Sequence, residues 1–131
     1  MVKKRKETEE TVITEEPVAV ESAVSDDKLR TSLEEIKNYD GVMGYIMRNT
    51  SSASIDLKDP AKIVDYAILS STAFEATEEF SQLFRLGNLK NITVDGKNLR
   101  MLSIAIDENK ISVFMEKNAD AEKVMKRIHS V

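Results

Sequence analysis

Between Asp59-Pro60 and Leu86-Gly87 the chain reads DPAKIVDYAILSSTAFEATEEFSQLFRLG, a helical run with a start and a stop written into it. Asp before Pro supplies an N-cap and a first helical residue that needs no amide donor. Gly after Leu86 supplies the left-handed position at which helices end. At 1.5 Å per residue, positions 60 to 86 span roughly 40 Å. A chain of 131 residues has the size of one domain, so its fold must be arranged about this rod.

The apolar face of the rod is wide. At 100° per residue, Leu83, Ala76, Leu69, Phe80, Ala73, Tyr66, Phe84, Thr77, Ser70, Ile63, Phe74 and Ala67 share an arc of roughly 200°, where a surface helix shows a stripe of about 100°. Ser71, Thr72, Glu75, Glu78, Glu79 and Gln82 face the other way. Such a face covers one sheet and leaves apolar surface for a second partner. Ala67, Ser70, Ala73 and Ala76 lie in the same arc, and their small side chains permit close helix approach. The expectation is a helix packed on its own sheet and on its twin in a second copy. The competing arrangement has a terminal helix of the same chain filling the gap.

Composition narrows the function classes. The charge is mildly acidic and mixed in sign, −4 overall, which argues against a dedicated nucleic-acid surface. Without cysteine there is neither a disulfide framework nor a thiolate metal site, which fits a cytoplasmic protein. No apolar run approaches the 18 or so residues of a membrane span. Lys3, Lys4, Arg5 and Lys6 resemble the start of a signal peptide, but no hydrophobic segment follows.

Residues 1–25 read as a disordered charged tail. Four basic residues precede Glu7, Glu9, Glu10, Glu15, Glu16 and Glu21, no periodicity holds, and Pro17 interrupts. Such a stretch buries too little apolar area to offset its ordering entropy. An inert solubilising tail is the favoured reading. The alternatives are a weak docking segment (the basic cluster, or Val18-Ala19-Val20) and a short strand through Val12-Ile13 added to a sheet edge.

The domain, residues 26–131, opens with a short helix. Ser25 caps it, Asp26 and Asp27 fill its first turn, Leu29, Leu33 and Ile36 form its apolar side, and it ends near Asn38. Asp40-Gly41 turns the chain into strands over 42–48 and 53–57, joined by Asn49-Thr50-Ser51-Ser52. After the long helix come strands over 89–95, 99–107 and 111–116. Asp95-Gly96 makes a tight hairpin and Asp107-Glu108-Asn109-Lys110 a further turn. Asn118 caps a last helix whose face is Ala121, Val124, Met125 and Ile128. The order is α-β-β-α-β-β-β-α, with short turns that force antiparallel neighbours. The fourth and fifth strands carry apolar residues at both parities, so both faces of the sheet are covered. The predicted fold is a three-layer α/β/α sandwich around a five-stranded antiparallel sheet, profilin- or longin-like in outline.

Catalytic constellations are missing. His129 is the sole histidine and sits near the C-terminus. No Asp/Glu spacing suggests a carboxylate metal site, and Gly41-Val42-Met43-Gly44 lacks the Lys and Ser or Thr of a P-loop. Ser70-Ser71-Thr72 has no accompanying base and reads as helix spacers. No enzyme activity, cofactor or metal is expected. Met43, Met101, Met115 and Met125 read as adaptable core filler, with Met47 exposed near a contact surface. Arg48, Arg85 and Arg100 are candidates for charge-neutralising fingers toward a partner's nucleotide; the solvated reading is far commoner.

Residues 28 to 128 carry a resemblance. Leu33-Glu34-Glu35-Ile36 leads into Gly41-Val42-Met43-Gly44-Tyr45-Ile46. The long helix from Tyr66 to Leu86 follows, then Ile92-Thr93-Val94, Leu102-Ser103-Ile104 and Ile111-Ser112-Val113-Phe114. This pattern is similar to the Roadblock/LC7 family, which includes dynein light chain roadblock, bacterial MglB-type regulators and short archaeal proteins. One departure is the hairpin after the first strand, where Asn49-Thr50-Ser51-Ser52 stands in place of a D-x-x-G turn.

The resemblance implies dimers whose central helices lie side by side and whose third strands pair into a ten-stranded sheet. It implies a non-enzymatic cytoplasmic platform for Ras-like small GTPases or for motility and signalling assemblies. The interface expected from it and from the helix arc comprises Ile63, Ala67, Ser70, Ala73, Phe74 and Thr77, with Leu89, Asn91 and Thr93 on the third strand. An unpaired third strand would expose a row of backbone donors and acceptors, which pairing removes. The alternative is a small-ligand sensor of PAS or GAF type, which needs an internal cavity with convergent polar groups. The Leu, Ile, Met and Phe filling these strands disfavour it.

Overall fold

The computed structural model describes residues 20–130. The charged residues 1–19, with the basic cluster, Val12-Ile13 and Val18-Ala19, lie outside them. The elements are α1 (Val20–Lys37), β1 (Val42–Arg48), β2 (Ala53–Leu57), a 3-10 turn (Pro60–Lys62), α2 (Ile63–Phe84), β3 (Asn91–Asp95), β4 (Arg100–Ile106), β5 (Asn109–Met115) and α3 (Ala121–His129). Every strand pairing is antiparallel, in the order β2-β1-β5-β4-β3. The expected three-layer sandwich is therefore present, with α1 and α3 on one face and α2 on the other.

Strand alternation sorts the core into two layers. Tyr45 and Met47 of β1, Leu102 and Ile104 of β4, and Ile111, Val113 and Met115 of β5 pack with Leu29, Leu33 and Ile36 of α1 and with Val124 and Ile128 of α3. On the opposite face Ile46, Leu57, Met101 and Phe114 pack under α2, and the Tyr66 ring stacks on Phe114 at 4.5 Å. Met47 is fully buried, so its expected exposure is corrected: its position in β1 turns it toward the helix pair.

Local chemistry moves several boundaries. Ser25, expected as a cap, lies inside α1, which begins at Val20. Asp59 accepts from the Ala61 amide at 3.1 Å and Pro60 follows, as the sequence pattern requires, but the first turn is 3-10. α2 ends at Phe84, two residues before the expected Leu86. Arg85 adopts the left-handed conformation (φ 53°) and the Leu86 amide donates to Ser81 at 3.0 Å, with Gly87 also left-handed. The last helix is capped by Asp120 rather than Asn118, its carboxylate accepting from the Lys123 amide. At Gly44 the backbone of β2 lies close against β1. A Cβ there would stand 2.2 Å from the Asp56 carbonyl oxygen, and the β1–β5 register shifts beside it.

Polar ties fix α1 and α3 to the sheet and to each other. Lys37 Nζ donates to Asp56 at 2.7 Å, and Tyr45 Oη donates to Glu34 Oε2 at 2.6 Å. Burial raises the Tyr45 phenol well above its ordinary value, and the Glu34 carboxylate adds to the rise. Arg127 donates to Glu35 at 3.1 Å, holding that carboxyl below its usual range, and Lys123 lies over the Tyr39 ring at 4.3 Å.

Candidate interaction surface

α2 connects the two edge strands and lies across one face of the sheet. Its inward line is Ser70, Ala73, Phe74 and Thr77, all buried. Ser70 reaches the centre of the sheet through hydroxyl contacts: Ser70 Oγ to Ser112 Oγ is 2.7 Å, and Ser112 Oγ to Ser103 Oγ is 2.7 Å. Thr77 donates back to the Ala73 carbonyl at 2.8 Å. Lys110 Nζ sits 5.7 Å from the centre of the Phe74 ring.

This arrangement places the residues of the expected interface at different depths. Ser70, Ala73, Phe74 and Thr77 are buried against the chain's own sheet, with Phe74 and Thr77 also bordering a surface groove. Ile63 and Ala67 are half-buried, beside the Met101–Phe114 layer. The small residues permit close approach to the sheet, where Ser70 finds a hydroxyl partner. Leu89 is half-buried just before β3, while Asn91 and Thr93 are exposed. β3 is an edge strand of the sheet, as expected, and so is β2.

The leftover apolar surface of α2 lies elsewhere. Val64 (68% exposed), Ile68 (60%), Phe80 (49%), Leu83 (68%) and Phe84 (66%) stand out from the helix, with Leu86 (53%) just beyond it. Phe80 and Phe84 contact each other with ring centres 6.4 Å apart. Leu69, Ala76, Phe80 and Leu83 run along one flank, roughly 70° to 130° from the inward line at 100° per residue. The sequence arc contains these flank residues. Val64 and Ile68 fall outside it, because isolated apolar residues on an outer face carry no periodic signal.

The other flank of α2 borders two adjoining surface grooves of about 500 and 410 Å³. They share Phe74, Glu78 and Lys110. One continues to Asn88, Leu89 and Asp107, the other to Arg48, Asn49 and Glu108. Their linings mix both charge signs and both open to solvent, unlike the enclosed cavity a small-ligand sensor requires. No observation favours the sensor.

The three candidate finger arginines are dispersed. Arg48 is half-buried at the end of β1, Arg85 is exposed at the left-handed turn, and Arg100 donates to Asp95 at 3.2 Å. Asp95 also pairs with Lys117, and these two hydrogen bonds hold its carboxyl below its usual range. Among the described residues no three His, Asp or Glu side chains gather as metal ligands would. No helix among them is long and apolar enough to cross a membrane.

No sequence-family model and no curated protein matches the chain. Solved structures do match its fold. A Roadblock/LC7 domain from Streptomyces avermitilis superposes with a TM-score of 0.63 at 13% identity, over 80% of this chain and 88% of that one. The gliding protein MglB from Thermus thermophilus gives 0.60 at 15% identity, over 77% and 80%. MglC from Myxococcus xanthus gives 0.55 at 16% identity, over 79% and 92%. The chain has a Roadblock/LC7-like fold, as its sequence pattern indicates.

Proposed function

We propose that the chain is a non-enzymatic Roadblock/LC7 module that forms a homodimer and, as a dimer, binds or regulates a Ras-like small GTPase in a motility or signalling assembly. The likeness to MglB and MglC supports the class of function. The observation that carries the reading is the group of exposed apolar side chains at the C-terminal end of α2, Phe80, Leu83 and Phe84, with Leu86 just beyond. Contiguous exposed patches of large apolar residues mark interaction sites.

In this dimer α2 lies beside its twin through Leu69, Ala76, Phe80 and Leu83, with Ile63 and Ala67 at the margin. β3 pairs edge to edge with its twin, Leu89, Asn91 and Thr93 bordering the seam. Such an isologous two-fold interface removes an exposed sheet edge and closes the assembly. The partner GTPase is engaged through protein contacts alone, which needs no catalytic group on this chain.

Cross-linking in cells that express the protein, with mass spectrometry of the captured species, identifies the partner. Titration of that GTPase, loaded in turn with GDP and with a non-hydrolysable GTP analogue, then tests regulation. The reading expects at least a tenfold difference in affinity between the two states, because a ligand shifts an equilibrium only by its differential affinity. Absence of any GTPase among the captured proteins contradicts the proposed partner class; equal affinity for the two states reduces the module to a passive scaffold.

A further inference from the structure

Among the described residues the sheet has a second edge, on β2, which pairing two copies through β3 does not cover. An open edge presents unpaired amides and carbonyls that proteins ordinarily cover. Ile55, in the middle of this edge strand, is 37% exposed. Its neighbours Lys58 and Lys62, beyond the C-terminal end of β2, are exposed as well.

The geometry of α1 sets its N-terminal end on the side of the sheet that holds this edge. α1 ends four residues before β1 starts, and Lys37 near its C-terminus reaches Asp56 of β2. The helix therefore runs back along the β1–β2 side of the sheet, and Val20 lies toward the end that holds the β1–β2 turn. Preceding it, Thr11-Val12-Ile13-Thr14 is the run richest in β-branched residues before α1, bounded by glutamate pairs and followed by Pro17. Residues 15–19 span up to about 17 Å when extended, enough to step from the sheet edge onto α1. Pro17 suits such a connection, since it cannot donate to a ladder.

We propose that Thr11-Val12-Ile13-Thr14 adds to the free edge of β2 as a sixth strand, antiparallel to β2, closing that edge within the same chain. Chirality agrees with this placement. β2–α2–β3 joins two parallel strands across one face of the sheet. The added strand would be parallel to β1 and joined to it by α1 across the opposite face. Reversing both strand direction and face preserves the hand, so both crossovers have the single hand that such connections overwhelmingly share. Charge also agrees. The antiparallel direction puts Glu9 and Glu10 beside Lys58 and Lys62, and Glu15 and Glu16 toward Arg48 at the end of β1.

Hydrogen–deuterium exchange on the full chain and on its Val12→Pro/Ile13→Pro variant tests this, with β5 as the internal control for folding. The wild type is expected to exchange residues 9–16 at least tenfold more slowly than a free chain. The variant is expected to lose that protection and to expose the outward amides of β2, leaving β5 unchanged. Free-chain exchange of residues 9–16 in the wild type would overturn the proposal. So would a loss confined to residues 9–16 with β2 unaffected, which would make the segment a helical extension of α1. Protection of β2 that survives the proline pair and grows with protein concentration would assign the edge to a second copy and overturn it equally.

Discussion

On the face that carries α1 and α3, thirteen buried side chains form one continuous cluster, and the helices are tied down by Lys37–Asp56, Tyr45–Glu34 and Arg127–Glu35. On the face that carries α2, five buried side chains form the cluster, although α2 is the longest helix among the described residues. The difference lies in where each helix places its apolar residues. α1 buries Leu29, Leu33 and Ile36 and α3 buries Val124 and Ile128, whereas Val64, Ile68, Phe80, Leu83 and Phe84 of α2 stay largely in water. Each such side chain contributes about 1.5–3 kcal/mol when fully covered. One face of the sheet is complete within a single chain, and the other has surface to offer a partner.

Leu33→Ala should have the largest effect on stability. Leu33 is fully buried under α1, and truncation should lower the unfolding free energy by about 2–5 kcal/mol in urea denaturation. Leu83→Ala, measured at dilutions where the chain is monomeric, should cost less than about 0.5 kcal/mol. Equal costs would erase the distinction between the two faces. Ser112→Ala comes next. It deprives both Ser70 and Ser103 of their 2.7 Å partner beneath α2, so a loss of about 1–3 kcal/mol is expected. An unchanged urea midpoint would show that the serine chain does not anchor the helix.

Tyr45→Phe probes the complete face through pH. The Tyr45 phenol is raised from its ordinary 10.0 by burial and by Glu34. Its contribution to stability is fully present below the unfolded value and is lost as pH rises through the folded one. The wild type should therefore lose stability as pH climbs past 10, and the variant should show a flatter alkaline limb in thermal melts. Identical limbs would place the phenol in water. The smallest effect is expected for Asp95→Asn. The lowered Asp95 carboxyl stabilises above its ordinary value and loses that contribution as pH falls through the folded one. Because the group is exposed, only a slight, salt-sensitive flattening of the acid limb should follow. A flattening that persists in high salt would mean the pair is shielded from solvent.

The fold was legible where one signal dominated. β1 and β2 run over the expected residues because strong apolar patterns meet unambiguous turns. The long helix was legible from its cap and its length. Its stop was not, because Arg85 takes the left-handed position ahead of the expected Gly87, aided by the Ser81 contacts. Asn118 and Asp120 are both competent caps, and only the path of the chain out of β5 decides between them. β5 starts two residues early because Asp107, at φ 54°, tightens the turn.

The interaction surface was half legible for a different reason. A 200° arc announces surplus apolar area without saying which part the sheet takes. Ser70 and Thr77 look neutral in a helical wheel; in the fold they line the inward side through hydrogen bonds, and that displaces the free surface toward Leu69, Ala76, Phe80 and Leu83. Of the small residues read as a helix–helix seam, Ser70 and Ala73 face the sheet, while Ala67 and Ala76 stay half-buried at its margins.

Sedimentation equilibrium of the full chain and of Leu83→Glu, across the micromolar range, tests the shared apolar face most directly. The account predicts twice the 14.7 kDa chain mass for the wild type, and a folded single chain for the variant, since Leu83 supports little of the subunit's own core. A folded wild-type protein of 14.7 kDa throughout that range, or a variant still at twice that mass, would contradict it.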